Sequence, residues 1–330
     1  MDLMTKPLSS VWLRLLARRA VQALLLALVV GTACFIITRS LPGDMATRIA
    51  ASRYGYDLVS NAAADAVRTE LALAQPAWRA LLDWWQHLAQ LDLGVSLVSG
   101  EPVWDEVSYQ LGATMYLAAA AVLLATLLGV PLGLAAGLRP GGKLDRLTLG
   151  LTVLLRATPP FMLALLLMLG LAVHFGELPV AGHEEGWSVL LPALTLALGL
   201  AAGLARVTRG ALQDVVLSAP YEFARTKGLT DMQALLQHGL RPVALPAVTY
   251  LGVHAVFLVE GAVVIETLFA WPGIGHALVH AIFARDVPMI QGTALCMGLL
   301  FVSFNLLVDG ASLALDPRQR HSRVDAGAAP

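Results

Sequence analysis

Residues 218–246, SAPYEFARTKGLTDMQALLQHGLRPVALP, decide how this chain is read. They form a polar island in a sequence that is otherwise mostly apolar. Ser218 is placed to cap a short helix, and Pro220 is tolerated in its first turn. Gly228 suits a stop in the left-handed conformation. Thr230 and Gln233 have the spacing of a capping box, which predicts a second helix over 231–238, ended by Gly239 and Pro242. Two short surface helices held between membrane spans suit docking to a soluble partner. Phe223 and Leu229 would be exposed apolar anchors, with Arg225 and Lys227 as polar rim. The other reading of the same residues is an ordinary interfacial loop.

Composition sets the surroundings of this island. Hydrophobic residues are 57% of the 330 and charged residues 14%, against about 45–50% and 25% in soluble domains; mean hydropathy is +0.71. That is a polytopic membrane protein, and at about 20 residues per span there is room for six or so helices and one sizeable extramembrane segment. Cys34 and Cys296 both lie inside apolar runs, so neither a disulfide framework nor a zinc site follows.

Taken in order, Lys6, Arg14, Arg18 and Arg19 precede an apolar run over 20–38. A cleaved signal peptide competes here, but the run is too long for an ordinary signal core and long enough to span. Past Arg39 the chain is polar and helix-rich to about residue 110, and acid outnumbers base, which suits the outer side. Trp78, Trp84 and Trp85 suit a small helical core or the interface. Gly129, Gly133 and Gly137 recur every four residues and make a flat ridge for close helix packing. The stretch 147–175 exceeds one span. Its first half suits the inner face, and Thr158-Pro159-Pro160-Phe161 kinks it into the membrane, as broken helices do where transporters line a cavity. Lys and Arg fall mostly on the segments assigned inside, among them Arg139, Lys143, Arg206, Arg209, Arg225, Lys227, Arg241 and Arg318. The layout predicted is an inner N-terminus at 1–19 and spans at 20–38, 111–138, 147–175, 189–205, 243–265 and 290–313. Outer segments lie at 39–110, 176–188 and 266–289, and inner ones at 139–146, 206–242 and 314–330, so both termini are cytoplasmic.

Several residues within or beside the spans are candidates for a translocation pathway. Arg156 stands just before the kink and either faces the bundle interior or snorkels outward. His254 and Glu260 lie in the fifth span and Glu266 just after it. Glu260 is a functional candidate by its position, or a structural hydrogen-bond partner of a neighbouring helix. His276 and His280 are four apart and would share a helix face suited to a metal, or be solvated on an amphipathic outer helix. GLRPGGK (137–143) matches the glycines and lysine of a phosphate-binding loop, but Leu144 stands where Ser or Thr is needed and an apolar helix stands where a strand is needed.

The polar island also resembles the "EAA" loop of ABC importer permeases. Glu222, Ala224, Gly228 and Pro246 fall at the spacing of its E-A-A-x3-G and later L-P, with Phe223 in place of the middle alanine. LPGD (41–44), LDLGVS (91–96), ARTKGL (224–229), HGLR with VALP, ETLFAWPGIG (266–275) and ARDVP (284–288) are similar to the dipeptide, oligopeptide and nickel branch of that family. The resemblance runs over nearly the whole chain. It implies an all-α integral membrane protein of about six transmembrane helices with a cytoplasmic coupling helix, the type I ABC importer permease fold. It implies a bacterial inner-membrane location, a second homologous permease subunit, two cytoplasmic ATPase subunits that bind ATP and Mg, and an extracytoplasmic solute-binding protein. Coupling to the ATPases would then fall on Glu222, Phe223, Ala224, Arg225, Lys227, Gly228 and Leu229, while this chain itself holds no cofactor and does no bond chemistry. Short peptides are the expected cargo, with nickel or another metal chelate the rival that His254 supports. An ion-gradient-driven secondary transporter or channel is the alternative, with Glu260 in a relay. An intramembrane enzyme would need paired catalytic groups, which the sequence does not offer.

Overall fold

The computed structural model describes residues 8–55, 57, 59–71, 75–176, 178–183 and 186–315, with backbone alone at 8–12, 14, 256, 257, 259, 260, 308, 309 and 311–315. Lys6, Glu184, Glu185 and the tail from 316 lie outside the described residues. The described chain is all-helical, with one isolated bridge between Val95 and Pro102. In order the helices are α1 (Leu8–Ser40), α2 (Met45–Tyr54), α3 (Asn61–Glu70), α4 (Ala77–Ala89), α5 (Val103–Gly137), α6 (Lys143–Ala157), α7 (Pro160–Leu167), α8 (Leu190–Val216), α9 (Ala219–Thr226), α10 (Asp231–Ala234), α11 (Leu240–Leu268), α12 (Ile274–Ala284) and α13 (Val287–Leu315). π-helical turns occupy Met168–His174 and Leu235–Gly239. Stretches Leu15–Ser40, Val103–Gly137, Leu190–Val216 and Val287–Leu307 are each long and apolar enough to cross a bilayer, and α6 with α7 makes a further, bent candidate.

The chain divides into two compact units. The first comprises Met1–Ala113 and Pro272–Leu307. Here α2 and α3 pair through small residues: Ala46, Ile49, Ala50, Ala64 and Val67 form their shared core. Asp44 caps α2 by accepting from the Thr47 amide at 3.0 Å, and Ser60 caps α3 through the Ala63 amide at 3.2 Å. Of the three tryptophans, Trp84 is buried against Gly31 of α1, where any Cβ would collide with its ring, while Trp78 is exposed. Val103, Val107, Ile274, Met289 and Ile290 build the larger core of this unit.

The second unit comprises Thr114–Trp271 and Val308–Pro330. The glycine ridge of α5 lies on α8. A Cβ at Gly129 would sit 2.8 Å from the Ala201 carbonyl oxygen, at Gly133 2.5 Å from that of Ala205, and at Gly137 3.1 Å from that of Arg209. Backbone therefore meets backbone, which only glycine permits. The chain bends by 106° between α6 and α7. Thr158 is extended (ψ 122), as a residue before proline prefers, and Pro160 starts α7, where its missing N–H leaves no bond unmade. Asp145 in the first turn of α6 is buried and forms a forked pair with Arg209 of α8, with Arg209 Nη2 at 2.8 Å from Oδ2.

One predicted boundary is overturned. Gly239 and Pro242 do not end the helix after the capping box. α10 passes through the π-helical turn at Leu235–Gly239 directly into α11. Pro242 is the third residue of α11, inside the continuous helix, and Gly239 lets the chain close on Leu235 and Val215.

Candidate functional site

The predicted docking residues lie on α9 and the turn after it. Ser218 occupies the N-cap position, yet its hydroxyl donates back to the Val215 carbonyl at 2.6 Å, so α9 has no side-chain cap. Tyr221 and Ala224, three apart, form the inner face of α9 and are buried among Leu212, Val215, Leu235 and Val243. Glu222, Phe223, Arg225 and Lys227 face outward, and Phe223 is 61% exposed. Lys227 places its ammonium 4.4 Å from the centre of the Phe223 ring. Gly228 has φ +88 and its amide donates to the Arg225 carbonyl at 2.9 Å, which reverses the chain. Arg225 spans the turn, donating to the Leu229 carbonyl at 3.1 Å and meeting Asp231 at 3.2 Å. The capping box forms: the Gln233 amide donates to Thr230 Oγ1 at 3.3 Å and the Thr230 amide to Gln233 Oε1 at 3.0 Å. Leu229 departs from its predicted exposure. It is half-buried and packs on the core beneath α9, so Phe223 is the protruding apolar group.

Two of the predicted pathway residues come together in the second unit. Arg156, exposed at the end of α6, places its Nη1 beside the Tyr250 phenol of α11. Both groups lie on the backbone of Gly203 in α8: a Cβ there would collide with the phenol and stand 2.9 Å from Arg156 Nη1. His254, one turn along α11, stacks on Tyr250 with ring centres 3.8 Å apart at 24°, and its Nδ1 faces the Tyr250 carbonyl at 3.0 Å. The carbonyl only accepts, so Nδ1 carries the proton. Tyr250 was not a sequence candidate; its one available signal is the four-residue spacing to His254. Glu260 lies on α11 with its side chain outside the described residues. Glu266 is fully buried and accepts from the Thr114 hydroxyl at 2.6 Å. It therefore lines no open surface here and acts as a strut between α5 and α11.

In the first unit, ARDVP gathers the two motifs that bracket the long polar segment. Arg285, buried and left-handed at φ 57, donates to the carbonyls of Leu41, Pro42 and Gly43, at 2.8 Å for Gly43. Asp286 accepts from the Ser96 hydroxyl at 2.5 Å and from the Val98 amide at 3.3 Å. His276 and His280 have ring centres 4.4 Å apart, and burial followed by the charge of His280 holds His276 below the ordinary imidazole range. Among the described residues no three metal-ligating side chains cluster. In GLRPGGK the Gly141 amide donates to Asp145 at 2.8 Å, so this loop uses an amide on the chain's own carboxylate.

Residues 129–321 match the family described as Binding-protein-dependent transport system inner membrane component. The glutathione transport system permease protein GsiC of Salmonella typhimurium (strain LT2) is 35% identical over 294 residues, covering 89% of this chain and 94% of its own. The protein of the same name from Escherichia coli K12 is 33% identical over 293 residues with the same coverage. Among solved structures, an amino acid ABC transporter crystallised with histidines aligns at TM-score 0.50 and 16% identity, covering 62% of this chain and 92% of that one, a likeness of fold alone.

Proposed function

The chain belongs to the binding-protein-dependent transport system inner membrane components, the permeases of ABC importers, and we propose that it passes short peptides of the glutathione type from a solute-binding protein across the inner membrane. The names of its glutathione-transporting relatives support that cargo. His254 does not separate that cargo from a metal chelate, because with Nδ1 donating to the Tyr250 carbonyl its Nε2 keeps the lone pair that a metal would take. The importer would comprise this chain, a second homologous permease, two ATPase subunits that bind ATP and Mg, and the binding protein, with both termini and α9 on the cytoplasmic side.

The observation that carries the mechanism is the build of α9. Its outer face offers Phe223 to a partner, and its inner face, Tyr221 and Ala224, is locked onto α8 through Leu212 and Val215 and onto the start of α11 through Val243. A push on Phe223 thus moves α8 and α11 together, and these are the helices that bear Gly203, Tyr250 and His254. Closure of the ATPase pair on ATP would drive the permease to its outward-open form, provided the partner binds that form more tightly. In this reading Glu222, Phe223, Ala224, Arg225, Lys227, Gly228 and Leu229 couple, and Arg156 and His254 line the path, with Glu260 further along α11. The test is uptake of glutathione into proteoliposomes holding the whole complex. Uptake that needs both ATP and the binding protein supports the reading; uptake driven by an ion gradient without ATP contradicts it.

A further inference from the structure

We infer that Arg156, with the Tyr250 hydroxyl beside it, is a receptor for the C-terminal carboxylate of the transported peptide; the inference rests on the peptide-importer reading and names the chemical group that the pathway recognises. Arg156 lies at the end of α6, at the break before α7, and its guanidinium reaches Gly203 of α8 at the point where the Tyr250 phenol of α11 also lies. Gly203 lies near the inner end of its predicted span at 189–205. Arg156 stays exposed while its Nη1 lies against α8 beside a residue of α11.

Among the described residues no carboxylate pairs with Arg156. Glu260 lies ten residues beyond Tyr250 on α11, about 15 Å of helical rise away. An exposed guanidinium in the apolar stretch 147–175, with no carboxylate paired to it among the described residues, is open to a visiting anion. The absence of a side chain at Gly203 is what admits both polar groups, and His254 stacked on Tyr250 fixes the phenol's direction. A guanidinium fork and a hydroxyl together suit a carboxylate, which takes two parallel N–H donors and one O–H. The C-terminal carboxylate is the anion that short peptides share whatever their side chains.

The test compares glutathione with its C-terminal carboxamide in ATP-driven uptake by the reconstituted complex, for the wild type and for Arg156→Gln, Arg156→Lys and Tyr250→Phe. Taking the ratio of the two probes in each variant cancels the preference of the binding protein. Arg156→Gln is expected to slow glutathione at least tenfold and the carboxamide less than threefold, Arg156→Lys to recover part of the loss, and Tyr250→Phe to slow glutathione alone, about threefold. Equal loss of both probes, or no loss, overturns the inference. So does a loss that follows the anionic lipid content of the liposomes, which would make a lipid phosphate the ligand. A wild-type complex that moves neither probe contradicts the peptide-importer reading itself, before any substitution is made, and the inference falls with it.

Discussion

The Ser96 hydroxyl donates to the Asp286 carboxylate at 2.5 Å across 190 residues of sequence, with both side chains buried. Its neighbour Arg285 holds the carbonyls of residues 41–43. Two adjacent residues thus clasp both ends of the long polar segment to the stretch between α12 and α13. Asp286→Ala would leave the Ser96 hydroxyl and Val98 amide without their acceptor, at a cost of about 3 kcal/mol. The purified protein should melt earlier and be cut faster by protease near residues 96–100. Unchanged melting and cleavage would remove the clasp from the account.

The ridge on α5 makes a contrast within one residue type. Gly133→Ala puts a methyl 2.5 Å from the Ala205 carbonyl oxygen and 2.8 Å from Thr208 Cβ, and is expected to cost about 1–3 kcal/mol by overpacking. Gly150→Ala in α6 meets nothing within 4 Å and should stabilise by about 0.5–1 kcal/mol through helix propensity. Thermal unfolding in one detergent reads both signs, and a Gly133→Ala protein as stable as the wild type would contradict the backbone contact.

At the docking turn, Gly228 also has open space around it but sits at φ +88. Gly228→Ala therefore suffers from backbone strain, about 1–2 kcal/mol, and not from a clash. Gly228→Trp, which adds bulk to the presented face, should uncouple ATP hydrolysis from uptake while the protein still inserts. Normal uptake by that variant at normal expression would count against docking through α9.

His276 supplies a pH dependence. Burial, and then the charge of His280, keep its pKa below the usual 6.5, so the folded chain binds this proton less readily than the unfolded one. Its contribution to stability is complete above 6.5 and fades as the pH falls below it. The wild type should lose melting temperature between pH 7 and pH 5 faster than His276→Gln. Parallel pH profiles would show that His276 is as open to water as a free imidazole.

What the sequence makes legible is local. The capping box at Thr230 and Gln233, the left-handed Gly228, the break at Pro159 and Pro160 and the four-residue glycine repeat all follow from spacing within one or two turns. The same local logic misplaced a helix end, because Pro242 reads as a stop, whereas the helix runs on through the π-helical turn and past that proline. Ser218 kept its position but not its bond, since Val215 offers a nearer acceptor. The remaining features depend on distant partners. Glu266 is buried because Thr114 lies 152 residues away in sequence, and Tyr250 enters the site because Arg156 and Gly203 approach it from two other helices.

The most direct test of the central claim is purification of the tagged chain from its host in mild detergent, with mass spectrometry of what accompanies it, for the wild type and for Phe223→Asp. The account expects a second permease and ATPase subunits with the wild type, and loss of the ATPase subunits alone with Phe223→Asp. A chain that purifies without either, and still moves solute in liposomes without ATP, would contradict it.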